Sequence, residues 1–270
     1  MTESAKKVNL ALASYPGRGP ADAMALALAD VASDPWFGPL SVSDVQVCPQ
    51  NCRRRLDAAG ARALREGYPG TRFRLHANAR VQERQLPLAD LAHAPMYRRY
   101  FRDMAEVSRA LGAPAYTLHA GVRRKGQRLS ELFRNVDALE DLFGIPVGIE
   151  GLYPTRSDRY WIADWTEYRA LLESGRRFAL DLSHVNIVHH VSGVAEDALV
   201  REMLASGNCI EVHVSDNDGM ADRHRPFGAD ADPWWRGMLE HVNPDAVVFY
   251  EGILGRRRAI GTEDRQTGEA

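Results

Sequence analysis

Eight short segments rich in β-branched and aliphatic residues recur along this chain, at Val8 to Ala13, Val42 to Val47, Arg72 to His76, Ala115 to His119, Pro146 to Glu150, Phe178 to Asp181, Ile210 to Val214 and Ala246 to Glu251. Their length and composition predict strands. Helical periodicity fills the intervals, over Ala21 to Ala32, Arg53 to Glu66, Tyr97 to Leu111, Leu129 to Phe143, Asp164 to Glu173, Ala195 to Ala205 and Pro233 to His241. Gly112, Gly144 and Gly175 stand where a left-handed residue would end a helix and release the chain into the next strand. Pro233 suits a first helical turn.

Strand and helix alternating with short connections predict parallel strands joined by right-handed crossovers, and eight of them close into a barrel. At 270 residues the chain fits one such barrel, which takes about 250, better than two domains. The expected fold is α/β, a single (β/α)8 TIM barrel over 1–261, with a polar, disordered tail over 262–270. A doubly wound open sheet is the competing architecture. It lacks its signature here, because SYPGRGP after the first strand does not have the G-x-G-x-x-G spacing.

No stretch approaches the roughly 20 apolar residues that span a bilayer. The opening MTESAKKVNLALASYPG is broken by Ser14, Pro16 and Gly17, so it reads as a strand and not as a leader. Three cysteines, Cys48, Cys52 and Cys209, are too few for a disulfide framework and leave one thiol over, which fits a reducing compartment, the cytoplasm. Cys48 and Cys52 read as ordinary thiols, since the further thiols of a cluster site are missing. A net charge of -2 gives no pull toward a polyanion and argues against duplex DNA as a partner. The oligomeric state is left open.

In a barrel of this kind, loops leaving the C-terminal ends of the strands converge around the mouth. The third predicted strand ends at His76, the fourth at His119, the fifth at Glu150 and the sixth at Asp181 with His184 just beyond. The seventh carries His213, followed by Asp222 and His224, and the eighth ends at Glu251. Any one of these alone reads as a loop cap. Six successive strands each delivering an imidazole or carboxylate to one end point instead to a bound cation, because clustered carboxylates repel unless compensated.

Nitrogen and carboxylate oxygen without thiolate suit zinc, manganese, iron or cobalt. Nine positions exceed the three or four ligands of one catalytic ion, so two or three ions sharing carboxylates are expected. The simpler arrangement stays open: one ion on Glu150, Asp181, His213 and Glu251, with the remaining histidines contacting substrate.

Those four residues, with HVSDNDG followed by DRH, resemble the xylose isomerase-like barrel superfamily of sugar isomerases and epimerases and of endonuclease IV type repair enzymes. The resemblance spans most of the chain and implies a metal-dependent enzyme with Glu150, Asp181, His213 and Glu251 as ligands. Its repair branch implies three ions: His76 and His119 with Glu150, then Asp181, His213 and Glu251, then His184, Asp222 and His224. The sequence departs from that branch after His76, where ANARVQERQ replaces an aromatic-containing segment that enters DNA. The chain also resembles multinuclear non-haem iron oxidases that modify peptides, over PQN at 49–51, DLSHVNIVHHVSG from Asp181 and DPWW from Asp232, although an Asn commonly stands there near the position of His184.

The leading expectation is isomerase or epimerase chemistry on a small hydroxy-carbonyl compound, with Glu150 and Glu251 as acid and base and His184 on a substrate hydroxyl. Iron-dependent oxidation of a peptide or small molecule, and phosphoester hydrolysis, are the alternatives. Arginines crowd the same loops: Arg123, Arg124 and Arg128 beside Lys125, then Arg156 and Arg159, Arg223 and Arg225, and Arg256 to Arg258. They suggest a small anionic substrate or an acidic peptide, with Arg123 and Arg225 as anchors. Tyr153, Tyr160, Trp161, Trp234 and Trp235 are candidates to close over it, with Trp235 equally suited to packing between helices, and His189 and His190 read as surface residues.

Overall fold

All eight apolar segments pair side by side and in one direction in the computed structural model, which describes residues 6–49, 55–77, 90–156 and 159–254. The strands are β1 (Val8–Ala11), β2 (Ser41–Val47), β3 (Arg72–Ala77), β4 (Tyr116–His119), β5 (Val147–Glu150), β6 (Phe178–Asp181), β7 (Cys209–Val214) and β8 (Val247–Tyr250). β1 pairs with both β2 and β8, so the sheet has no edge and is a closed parallel barrel. The register sets Asp181 beside His213 and His119 beside Glu150.

The helices are α1 (Pro20–Ala29), α2 (Ala58–Gly67), α3 (Arg98–Leu111), α4 (Leu129–Phe143), α5 (Trp165–Glu173), α6 (Leu182–Ser192) and α7 (Asp197–Ala205). α3 shows why they ring the barrel. Tyr100, Phe101, Met104, Ala105, Val107 and Leu111 recur at helical spacing and are buried, while Arg98, Arg99, Arg102 and Arg109 lie off that stripe. Each buried large apolar side chain contributes about 1.5–3 kcal/mol, enough to make this face the binding face of the helix. Gly112 and Gly144 end α3 and α4 at φ of 66° and 70°, the left-handed geometry expected of them.

Three differences from the sequence reading have physical causes. α6 was not expected, because LSHVNIVHHVS is buried over most of its surface and lacks a polar face; Asp181 starts it by capping the amides of Ser183 and His184. α1 stops at Ala29, short of Ala32, as the chain turns through Val31 at φ 46° into a two-residue ribbon, Ser33–Asp34 against Gly38–Pro39. The last crossover is a 3-10 turn, Arg236–His241, in place of a helix over Pro233 to His241. Among the described residues, no helix is long and apolar enough to cross a membrane. Cys52, the span 78–89, Arg256 to Arg258 and the tail 262–270 lie outside the described residues.

Candidate metal centre

Strand residues point alternately into and out of the barrel, so a side chain facing the mouth has a neighbour two residues earlier in the layer beneath. His76, His119, Glu150, Asp181, His213 and Glu251 come from β3 to β8 or the residue just beyond, and form the mouth layer. β1 and β2 contribute Ala13 and Cys48 to the same rim, small groups that leave the space open.

Glu150 is the hub. Its Oε2 lies 3.4 Å from His76 Nε2 and 3.5 Å from His119 Nε2, and its Oε1 lies 3.3 Å from His213 Nδ1 and 3.6 Å from His184 Nδ1. His213 Nδ1 also faces Glu251 at 3.7 Å. His184 Nε2 stands 3.4 Å from both Asp181 and Asp222, and Asp222 reaches His224 Nε2 at 3.0 Å. Three groups can each converge on an ion: His76, His119 and Glu150; Glu150, Asp181 and His184; and Asp181, His213 and Glu251. All nine expected ligand positions therefore meet at one place, and Asp222 with His224 joins through His184.

The donor set fits a divalent transition ion on two counts. Two ligands about 2.1 Å from one ion at a tetrahedral angle stand roughly 3.4 Å apart, whereas hydrogen bonds prefer roughly 2.7–3.2 Å. Most contacts here run from 3.3 to 3.7 Å. Glu150 Oε2, Asp222 Oδ1 and His224 Nδ1 are also buried without a hydrogen-bond partner among the described residues. Orphans of this kind are costly and call for a ligand or water.

Protonation follows from burial set against these charges. Burial lowers His184, but Asp181, Asp222 and Glu150 outweigh it and push the ring up to about 10. His224 rises to about 9 against its own burial, through Asp222, and His213 is held well above its ordinary value by Glu251 and Glu150. His76, where burial prevails, falls to about 3, and burial lowers His119 too. Burial raises Glu251 to about 7, while His119, His213 and His76 overcome burial and keep Glu150 well below the carboxylate range. With protein groups alone, protons balance the carboxylates.

The loop after β7 is fixed to its surroundings. Asn217 donates to the Ser183 carbonyl and accepts from Asn186, which in turn accepts from Trp234 Nε1. Buried Asp34 accepts from the Phe227 amide and the Tyr250 hydroxyl, tying the end of this loop to β8. His224 sits between these ties at φ 45°, a conformation that costs a non-glycine residue about 1–3 kcal/mol. Gly151 serves the site differently: a Cβ there would lie 2.5 Å from the Tyr168 ring, and its carbonyl accepts from His184 Nδ1 at 2.9 Å.

A cavity of about 340 Å³ opens above the cluster, walled by Leu152, Tyr153 and Tyr160 as well as the ligand candidates. Neither expected anchor reaches it. Arg123 is taken up by Glu167 at 2.8 Å and the Tyr160 carbonyl at 2.7 Å while stacking on Trp161 at 4.3 Å, and Arg225 pairs with Asp218 at 3.1 Å. No lysine or arginine lines the cavity among the described residues. Tyr153 and Tyr160 do line it; Trp161 hydrogen-bonds Gln127, Trp234 stacks on His189, and Trp235 packs with Trp36 and Phe227. His190 is exposed as expected, and His189 is half-buried under Trp234.

Sequence reasoning missed the layer beneath: Gln46, Arg74, Thr117 and Glu211, each two residues before a mouth residue. They touch one another and the histidines above. The alternation along each strand was the signal for them.

No protein-family model matches the chain, and no curated protein matches it. Among solved structures it is similar to a xylose isomerase domain containing protein from Salmonella typhimurium, at 15% identity and TM-score 0.63, covering 93% of this chain and 90% of that one. A D-allulose 3-epimerase from Methylomonas sp., in complex with D-allulose, is 17% identical with TM-score 0.58 over 93% of this chain and 85% of its own. The IolI protein with a binding zinc atom is 11% identical with TM-score 0.60 over 90% and 88%. At these identities the likeness is one of fold: the chain has the barrel of the xylose isomerase-like proteins.

Proposed function

We propose that this chain is a divalent-metal-dependent isomerase or epimerase that moves a proton next to the carbonyl of a small hydroxy-carbonyl compound of the sugar class. The observation that carries this is the pair of buried glutamates, Glu150 and Glu251, facing one ring nitrogen of His213 at 3.3 and 3.7 Å below an open cavity. Glu150, Asp181, His213 and Glu251 would hold one ion, with His76, His119, His184, Asp222 and His224 providing for a second or third. Zinc, manganese, iron and cobalt all suit them. A bound ion supplies Lewis-acid polarisation of the substrate carbonyl.

One glutamate removes the proton from the carbon beside that carbonyl and the other returns it from its own side. With a single ion bound, His184, anchored through Nδ1 to the Gly151 carbonyl, would keep Nε2 for a substrate hydroxyl instead of an ion. Leu152, Tyr153 and Tyr160 exclude water from the reacting carbon. The cavity lies at the small end of the range of about 300–1,000 Å³ for ligand sites and suits a single sugar. Its described walls offer groups for hydroxyls and carbonyls instead of cations, which favours an uncharged substrate over the anionic one expected from the loops. The sugar epimerase among the proteins of like fold supports the same reading.

A second reading draws on a separate observation, that the three donor groups share Glu150 and Asp181. Such sharing suits a multinuclear centre for phosphoester hydrolysis or iron-dependent oxidation. Incubating the manganese-, cobalt- or zinc-loaded protein with a panel of ketoses and their phosphates, followed by NMR, separates the readings. A metal-dependent epimer or aldose supports the first. No sugar turnover, together with cleavage of abasic duplex or oxygen uptake with Fe(II), would replace it by the second.

A further inference from the structure

Directly beneath the cavity the barrel buries a carboxylate that this chemistry does not use. Glu211 is inaccessible to solvent. Its Oε2 accepts from Thr117 Oγ1 at 3.1 Å and Gln46 Nε2 at 3.2 Å and faces His213 Nε2 at 3.2 Å, while Oε1 faces the Arg74 guanidinium at 3.3 Å. Burying a carboxylate costs several kcal/mol even when it is paired. An apolar residue would fill this layer more cheaply, so the carboxylate has a use that packing does not supply.

Proton bookkeeping identifies the use. Thr117 has one hydroxyl proton, and it goes to Glu211. The same oxygen lies 3.0 Å from His76 Nδ1 and is left only to accept, so His76 must donate from Nδ1. Its Nε2 is then a bare lone pair, 3.4 Å from Glu150. On the other side, an ionised Glu211 beside His213 Nε2 requires the proton there, because a lone pair and a carboxylate oxygen 3.2 Å apart repel. His213 then keeps Nε2 protonated and turns Nδ1 upward to Glu150, the nitrogen that gives up its proton when an ion arrives. Gln46 Nε2, 2.9 Å from His213 Nε2, is compatible with the opposite arrangement, but a charge-assisted hydrogen bond is roughly twice as strong as a neutral one and decides the matter.

We infer that Glu211 is the positioning residue of the centre: paired with Arg74 below, it fixes which nitrogen of His213, and through Thr117 which nitrogen of His76, is presented to the Glu150 cluster. Glu211 touches no substrate. The three strands involved share a pattern, RLH, TLH and EVH at 74–76, 117–119 and 211–213, with a polar residue under each histidine. The inference rests on the metal reading for its purpose, but not for its test.

Nitrogen-15 imidazole spectra of the metal-free protein near neutral pH should show His76 protonated on Nδ1 in the parent. The proton should move to Nε2 in Thr117→Val and in Glu211→Gln. Zinc alone, titrated against a chelating dye, should bind Glu211→Gln about 10–100-fold more weakly than the parent, the usual effect of removing a carboxylate behind a liganding histidine. Should Glu211→Gln fold poorly with Arg74 left unpaired, the double variant Arg74→Met with Glu211→Gln removes both charges and should show the same spectra and weak binding. An Nε2 proton on His76 in the parent, or zinc affinity in these variants within about twofold of the parent, would overturn the inference. A parent that takes up no zinc while its spectra agree would sink the metal reading and leave the positioning role standing.

Discussion

Metal uptake by this protein should depend steeply on pH, because His184 and His213 hold protons on the ring nitrogens that would meet an ion when protein groups stand alone. His184 is 2% exposed and pushed up to about 10, so freeing its Nε2 near pH 7 costs roughly three units, or about 4 kcal/mol. His213, buried but held well above its ordinary value by Glu251 and Glu150, adds a penalty of the same sign to the group of Asp181, His213 and Glu251. Each displaced proton steepens the binding by about one decade per pH unit. Manganese affinity should therefore rise about 100-fold or more between pH 6 and 8, with about one proton released per ion. Calorimetry in two buffers of different ionisation enthalpy reads both quantities. A flat affinity with no proton release would show that the histidines are neutral or that the metal binds elsewhere, and would refute the electrostatic account of the site.

The same shifts predict a stability profile for metal-free protein. His184 is raised in the fold, so its contribution is complete below about pH 6.5 and is lost as pH rises through about 10; His76 is depressed by burial, so its contribution is present above about pH 6.5 and fades toward about 3. Melting should peak near neutral pH, and a monotonic rise from pH 5 to 10 would contradict this. Replacing Glu150 by Gln removes the hub shared by two donor groups and should weaken manganese binding by about two orders of magnitude, with turnover abolished. Gly151→Ala sets a Cβ 2.5 Å from the Tyr168 ring and should cost about 1–3 kcal/mol in chemical denaturation while disturbing the neighbouring Glu150. Arg123→Gln should lower stability by about 1 kcal/mol yet leave KM within about twofold, since the guanidinium binds Glu167 and Trp161 and not the cavity.

The barrel was legible because strands in a closed parallel sheet read as apolar runs, and their ends are where chemistry collects. His76, His119, Glu150, Asp181, His213 and Glu251 could thus be named from their places in the chain. α6 was not legible: its burial over most of its surface leaves no polar face, and its start is signalled only by Asp181, which looks like a strand end. Arg123 and Arg225 were misplaced because a loop position does not say which way a long side chain turns, and the partners Glu167 and Asp218 are recognisable only in three dimensions. Glu211, Arg74, Gln46 and Thr117 were within reach of the strand alternation, one step below the residues on which attention settled.

Exchange of solvent deuterium into a ketose tests the central claim most directly, since the proposed reading passes a carbon-bound proton between substrate and the glutamates over an ion that Glu150 would hold. Metal-loaded protein in deuterium oxide should label the carbon next to the carbonyl of its sugar substrate, and chelated protein or Glu150→Gln should not. Absence of label from every ketose tested with a fully metal-loaded protein, or labelling that persists in Glu150→Gln, would contradict the account.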